Sequence, residues 1–358
     1  MKKYLMTALL LFHVVNVFGQ LILSKATRVG DVMYNVFDSY TGEAISLRKV
    51  TKFYDGSEMN AAKCDNVIYI NYGKDFFQRV YGDNVDIRWF GCNEKRNDNQ
   101  VIINKILQKY KTATIPAGIF EISGGITVPE YATLKGNGRN CIIKLKAPLP
   151  VDGISVFRGA VIKNFTLDCT ETSLDLKSAI IINPWQKNSF TGQEILLENL
   201  NLLGNYPHLQ GVGLKLQILK NENNLSLIAF CKFLNINIYG FRDGIFCDLD
   251  YFGGNKISYI NANTFDNIII YNCLRPLQLI NTGKKEDVLA GKATIMSNFF
   301  SNIIVQHVVG KYPAFYLDGA EYNNFTAQII DWPVPYFEET KKGRNNTFNS
   351  LPFDGNKK

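Results

Sequence analysis

The stretch richest in groups able to do chemistry is Arg242-Asp243-Gly244-Ile245-Phe246-Cys247-Asp248-Leu249-Asp250. Asp248 and Asp250 stand two apart, so in a strand both carboxylates share one face while Leu249 turns to the other. Glycoside hydrolysis needs such a pair, one carboxyl as acid and one as nucleophile or base. Arg275 falls one repeat further on, near the level of Asp243, and the aromatic residues Tyr251 and Phe252 follow as surfaces for stacking on a sugar ring. Asp243, Asp248, Asp250 and Arg275 therefore form the candidate catalytic set, with Arg242, Tyr251, Tyr316 and Asp318 as candidate substrate ligands. Tyr316, Asp318 and Glu321 make a second candidate group and Asp168 a third. The bland alternative is that outward carboxylates on a strand wall are solvated or paired with basic neighbours.

Other chemistries find little support. Beyond the N-terminal segment the histidines are His208 and His307, neither in a nucleophile-elbow sequence and neither part of a metal-binding pattern. Gly136-Asn137-Gly138 joins two strands and does not open a helix, so it cradles no phosphate. The seven cysteines, at positions 64, 92, 141, 169, 231, 247 and 273, are odd in number and contain no C-x-x-C. Cys141 and Cys247 sit inside apolar strand runs, so buried thiols are expected rather than a disulfide framework or a metal site. The formal charge is +7, or +5 without Lys2 and Lys3, and no basic run exceeds Lys-Lys outside that segment. This excludes a nucleic-acid footprint and suits an acidic glycan.

The elements that must carry these residues repeat. Asn recurs before an apolar strand core at 164, 199, 235, 267 and 302, with gaps of 35, 36, 32 and 35 residues. Asn324 and Asn346 continue the series at shorter gaps. A second strand follows most copies, beginning at Ser178, Gly211, Asp243, Arg275 and Pro313. Two or three strands per fixed period make a solenoid, whose rungs bury their apolar sides only by stacking. The repeated amide has a structural use: it satisfies a turn and bonds to the copies above and below.

Ahead of the repeat, Val101, Ile102, Ile103, Ile106, Leu107 and Tyr110 gather on one helical face, with Asn97 or Asp98 as the expected N-cap. Period-two strands follow from Ile119 to Ile143. This reads as a lid on the end of a stacked strand structure.

The order Asp86-Ile87-Arg88-Trp89-Phe90-Gly91, helix, Thr114-Ile115-Pro116-Ala117-Gly118-Ile119-Phe120, Ile126-Thr127-Val128-Pro129 and Ala132-Thr133-Leu134-Lys135-Gly136-Asn137-Gly138 resembles the N-terminal signature of the pectate-lyase-like superfamily. The similarity is to its rhamnogalacturonase/epimerase-like branch, which includes many phage tailspikes. The resemblance implies an all-β chain, a right-handed parallel β-helix capped by the helix. It also implies outward-facing chemistry from neighbouring rungs, calcium as the cofactor of a lyase with a Lys or Arg base, and an open expectation of a homotrimer. The segment from Cys92 to Asp98 departs from the family's Gly-Asp-Gly and paired Asp. The polygalacturonase pattern (Asn-Thr-Asp, Asp-Asp, Gly-His-Gly, Arg-x-Lys) is absent, so none of its catalytic residues is carried over.

The expected organisation is a signal peptide over 1–19, a small β module over 20–84, the β-helix over 85–345 and a polar tail over 346–358. The first segment has a basic start, a short apolar run and a small-residue exit. No other segment is apolar enough to span a membrane. The module contains an expected hairpin of Val67–Ile70 and Phe76–Val80, read as a cap on the first rung or as an attachment or oligomerisation piece. The functional expectation is an exported carbohydrate-active protein that acts on an acidic polysaccharide through a groove on the wall, as a lyase, hydrolase or epimerase. The alternative is a non-catalytic glycan-binding or adhesion protein. Convergence of Asp243, Asp248, Asp250 and Arg275 in one cleft favours the enzyme, and their scatter favours the binder.

Overall fold

The computed structural model describes residues 21–23, 25–82, 84–147, 150–172, 176–182, 192–219, 225–251, 253–254, 256–306, 311–330 and 336–350. The expected signal peptide, Phe252, His307, the prolines at 333 and 335 and the final eight residues lie outside them. The chain forms two compact units, residues 1–93 and 94–358, so residues 85–93 go with the first unit.

The first unit is an antiparallel six-stranded sheet with a core of Met33, Val36, Leu47, Ile70 and Phe77. Its expected hairpin is present as Tyr69–Tyr72 and Asp75–Arg79. Arg79 is buried, bonds Asp38 at 2.5 Å and lays its guanidinium 3.7 Å from the centre of the Trp89 ring. That pairing lets a cation sit among apolar side chains.

The second unit is a parallel β-helix of three strand walls, with eleven, eight and five strands. One rung runs Leu196–Leu203 on the eleven-stranded wall, Val212–Ile218 on the eight-stranded wall and Leu225–Ala229 on the five-stranded wall. Lys232–Tyr239 then begins the next rung, in parallel register with the first strand. Inward positions stack like on like. Phe233, Phe265, Phe300 and Phe325 form a continuous buried column with ring centres 4.4 to 4.6 Å apart. Helix α1 (Gln100–Tyr110) buries Ile102, Ile103, Ile106 and Leu107, whereas Val101, expected on that face, is exposed. The N-cap is Asn99, one residue past the expected Asn97 or Asp98, and its side chain makes no capping bond; Asp98 before it supplies the acceptor, one oxygen taking the Gln100 and Ser123 N–H groups and the other the Ser123 hydroxyl. Burial raises its pKa, but these donors outweigh burial and leave the carboxyl below its ordinary value.

The repeated Asn lies inside its strand. Asn164, Asn199, Asn235, Asn267 and Asn302 all have φ between 53° and 63°, a left-handed conformation that Asn tolerates better than most residues. Each bends its strand around the corner of the rung. Their amides bond in series, Asn199 to Asn164, Asn235 to Asn199 and Asn267 to Asn235, at 2.7 to 3.0 Å. The series ends at Asn302, whose amide donates to Asp266. A second row, Asn263, Asn298, Asn323 and Asn346, closes the tight turn between the five- and eleven-stranded walls. Each amide in it donates to the oxygen of the next at 2.9 Å. At the far end, Thr347–Ser350 pairs with the strand Asn324–Ile330 as a further rung, where the sequence reading placed the polar tail.

Candidate functional site

Sequence reading placed the chemistry on the strand Asp243–Leu249, which lies in the eight-stranded wall between Val212–Ile218 and Arg275–Asn281. Alternation sends Ile245, Cys247 and Leu249 inward and Phe246 and Asp248 outward. In register, Ile181, Lys215, Phe246, Gln278, Tyr316 and Glu338 form one outward row. Gln217, Asp248, Ile280 and Asp318 form the next.

The expected catalytic set does not converge. Asp243 is fully buried at the start of its strand, with one oxygen accepting from Arg275 Nε at 2.5 Å and the other from Arg242 Nε at 2.9 Å and Arg275 Nη2 at 3.0 Å. Asp243 and Arg275 were rightly placed side by side, but the two arginines close over the Asp243 carboxylate, which no substrate can reach. Asp248 is reached by Gln217 Nε2 at 2.8 Å and Lys215 Nζ at 3.3 Å. Asp250 lies beyond the strand end and accepts the Thr282 hydroxyl, tying two loops together. Tyr251 is 7% exposed and donates its hydroxyl to the Lys256 carbonyl at 2.9 Å. It is a buried loop anchor, not a sugar platform, and burial raises its pKa.

The other candidates are also held by neighbours. Asp318 accepts Thr340 Oγ1 at 2.7 Å and pairs with Lys342 at 3.1 Å. Tyr316 sits half-buried in the outward row. Glu321 is buried against Arg344, and Asp168 folds back on Thr170. His208 is exposed. The seven cysteines form no disulfide, and burial pushes the thiols of Cys231 and Cys273 up to about 12. Among the described residues no group of three or more His, Cys, Asp or Glu side chains is placed to hold a metal ion, so the structure assigns no calcium site.

What the wall does form is an open groove of about 670 Å³ across four rungs. Lys177, Lys215 and Arg242 supply its positive charge, Asp152 is the carboxylate among its lining residues, and Phe246, Leu176 and Leu219 give apolar surface. Asp152 accepts the Ser178 hydroxyl at 2.5 Å. Lys215 stands in the middle, its ammonium 5.5 Å from the Phe246 ring centre and 3.3 Å from Asp248. Gln210, another lining residue, has a buried Oε1 without a hydrogen-bond partner, ready for a hydroxyl donor. Of the eight candidate residues only Arg242 lines this groove. Lys177, Lys215, Gln217 and Phe246 were missed, although Lys215 and Gln217 alternate with leucines in a visible period of two.

No protein-family model matches the chain, and no curated protein matches it in sequence. Solved structures do. The enzymatically active domain of tailspike protein 4 from bacteriophage CBA120 aligns over 95% of this chain and 49% of its own, with 14% identity and a TM-score of 0.55. The corresponding domain of tailspike protein 2 from the same phage aligns over 88% and 44%, with 14% identity and a TM-score of 0.51. This chain thus spans about half the length of the structures it matches. The shared feature is the fold, a parallel β-helix.

Proposed function

We propose that this is an exported carbohydrate-active protein that engages an acidic polysaccharide in the groove of the eight-stranded wall. The observation that carries the reading is the groove's charge. Three cations, Lys177, Lys215 and Arg242, line it with one carboxylate, Asp152, which already accepts a hydrogen bond; Lys215 also pairs with Asp248 at the groove's border, and Arg242 shares the buried Asp243 with Arg275, so the balance stays positive. A uronate chain would gain charge-assisted contacts there and set its ring faces against Phe246. Export rests on the basic and apolar N-terminal segment. The two tailspike domains that share this fold are enzymatically active.

Binding is the part of this reading that the geometry favours, because the described carboxylates near the groove are engaged by neighbours. Catalysis is a second reading with one observation behind it. Asp248 and Asp318 occupy the same outward row two rungs apart. Their strands are therefore about 9.5 Å apart, at the wide end of the spacing used by inverting hydrolases. Incubation with a panel of uronate and neutral polysaccharides separates the readings. Retained polyuronate without product is the expected result. An ultraviolet-absorbing unsaturated product would mark a lyase, new reducing ends alone a hydrolase, and failure to retain any polyuronate would remove the reading altogether.

A further inference from the structure

We propose that the outer face of the eleven-stranded wall is a second carbohydrate-binding strip, which takes an uncharged sugar chain. Four strands build it in register: Leu196–Leu203, Lys232–Tyr239, Thr264–Tyr271 and Phe299–Gln306. Past each left-handed Asn, two outward positions remain per rung. One row is Asn201, Asn237, Ile269 and Ile304, and the other is Leu203, Tyr239, Tyr271 and Gln306. None of these eight side chains carries a charge at neutral pH, although a fifth of the chain's residues are charged (20%). The contrast with the cationic groove is therefore one of chemistry as well as of place.

The polar groups of the strip suit sugar hydroxyls. Tyr239 and Tyr271 stack with ring centres 5.4 Å apart and planes 21° from parallel, and Tyr206, from the loop after the first strand, leans on Tyr239 at 5.9 Å. Tyr206 and Tyr271 are 41% and 37% exposed. The two stacked rings occupy matching outward positions on successive rungs. Beside them the Asn237 amide donates to Asn201 and the Asn201 amide to Thr166. The row then reaches Ile269, which has no donor to offer the Asn237 carbonyl oxygen. Rungs lie about 4.8 Å apart, close to the length of one hexose in an extended chain, so successive sugars would meet successive rungs, with the paired tyrosines at the centre.

Two other occupants fit less well. A polyuronate would find no cation among these eight side chains; the exposed Lys232 lies at the start of its strand, ahead of the left-handed Asn235. A second copy of the chain would find eight side chains, far short of the roughly 20–30 residues per side of a stable protein interface.

The test uses the full chain in affinity electrophoresis through gels carrying a neutral β-glucan, a mannan, a galactan or a polyuronate. At least one neutral polymer should retard the protein. Tyr271→Ala and Tyr206→Ala should each weaken that retardation by about tenfold, the size expected for one lost aromatic contact, and leave retardation by polyuronate unchanged. Tyr271→Phe, which keeps the ring, should lose less. Light scattering runs beside it. If no neutral polymer retards the wild type, if both alanine variants behave as wild type, or if Tyr271→Ala changes the oligomeric state, the strip is not a sugar site. Loss of polyuronate binding alone would count against the groove and leave the strip standing.

Discussion

Asp243 and Asp248 lie five residues apart on one strand, and each meets cations or amides on a neighbouring rung. Asp243 stands at the corner where the strand begins, sealed from water between Arg242 and Arg275. Asp248 stands in an outward row, its side chain 20% exposed beside Lys215 and Gln217. In sequence both appear as an acid one repeat away from a complementary partner. In space one is a clamp between rungs and the other borders a groove. A carboxylate–cation pair in a solenoid therefore acquires meaning only when the direction of its side chain is known.

The sharpest way to break this contrast is to neutralise the buried member. Asp243→Asn leaves two guanidiniums facing a site with no anion. Removing one partner of a buried pair costs roughly 3–5 kcal/mol, and the lower end applies because Arg242 and Arg275 both reach water. The expected loss is about 3 kcal/mol in a urea titration, with the ends of the neighbouring rungs opening first. A loss below about 1 kcal/mol would put Asp243 in the class of solvent-screened surface pairs and erase the distinction.

The two asparagine rows repeat the contrast at smaller size. Asn298 is fully buried. Its amide donates to the Ile260 carbonyl and to Asn323, and its oxygen accepts the Asn263 N–H and amide. Asn298→Ala leaves several of these groups unsatisfied, with an expected cost of about 2 kcal/mol. Asn235 is exposed, and its replacement by Ala loses amide bonds that water can replace. The cost is mainly that of holding Ala at φ 56°, about 1 kcal/mol. Asn235→Gly should recover most of that difference in the same denaturation series, whereas Asn298→Gly should recover nothing.

The solenoid was legible because its determinants are local and repeated. A left-handed Asn recurs in five rungs, and an inward Phe stacks on a Phe through four rungs. The buried row had its own signal, Asn-x-Phe at Asn263, Asn298, Asn323 and Asn346; the first two fall four positions ahead of the strand-bending Asn267 and Asn302, and Asn346, expected to continue the strand-bending series, belongs to this row instead. The groove was not legible for a geometric reason. Between the same two rungs the eleven-stranded wall advances 36 residues, Asn199 to Asn235, while the eight-stranded wall advances 31, Gln217 to Asp248. Loops of unequal length separate the walls, so a register counted on one wall does not place residues on the other. Lys215 faces Phe246 and Gln217 faces Asp248 only after that offset is known. Burial was equally invisible for Tyr251, whose fate depends on carbonyls that its own loop brings back to it.

The smallest effect bears on what the exposed member does for the groove. Lys215 shares its charge between Asp248 and whatever lies in front of it. An incoming uronate must compete with a carboxylate that the chain already supplies. Asp248→Asn keeps the amide oxygen available to Gln217 but withdraws the competing charge. Stability should change by less than about 1 kcal/mol, as for other partly solvated pairs. Affinity for polyuronate, read by calorimetry at low salt, should rise a few-fold, and added salt should shrink the gain because Lys215 is partly exposed. Lys215→Ala should weaken binding in either background. If Asp248→Asn weakens binding instead, then Asp248 serves chiefly to hold the ammonium in position against the Phe246 ring. The two ends of the strand would then differ in burial alone, since both acids would be structural clamps.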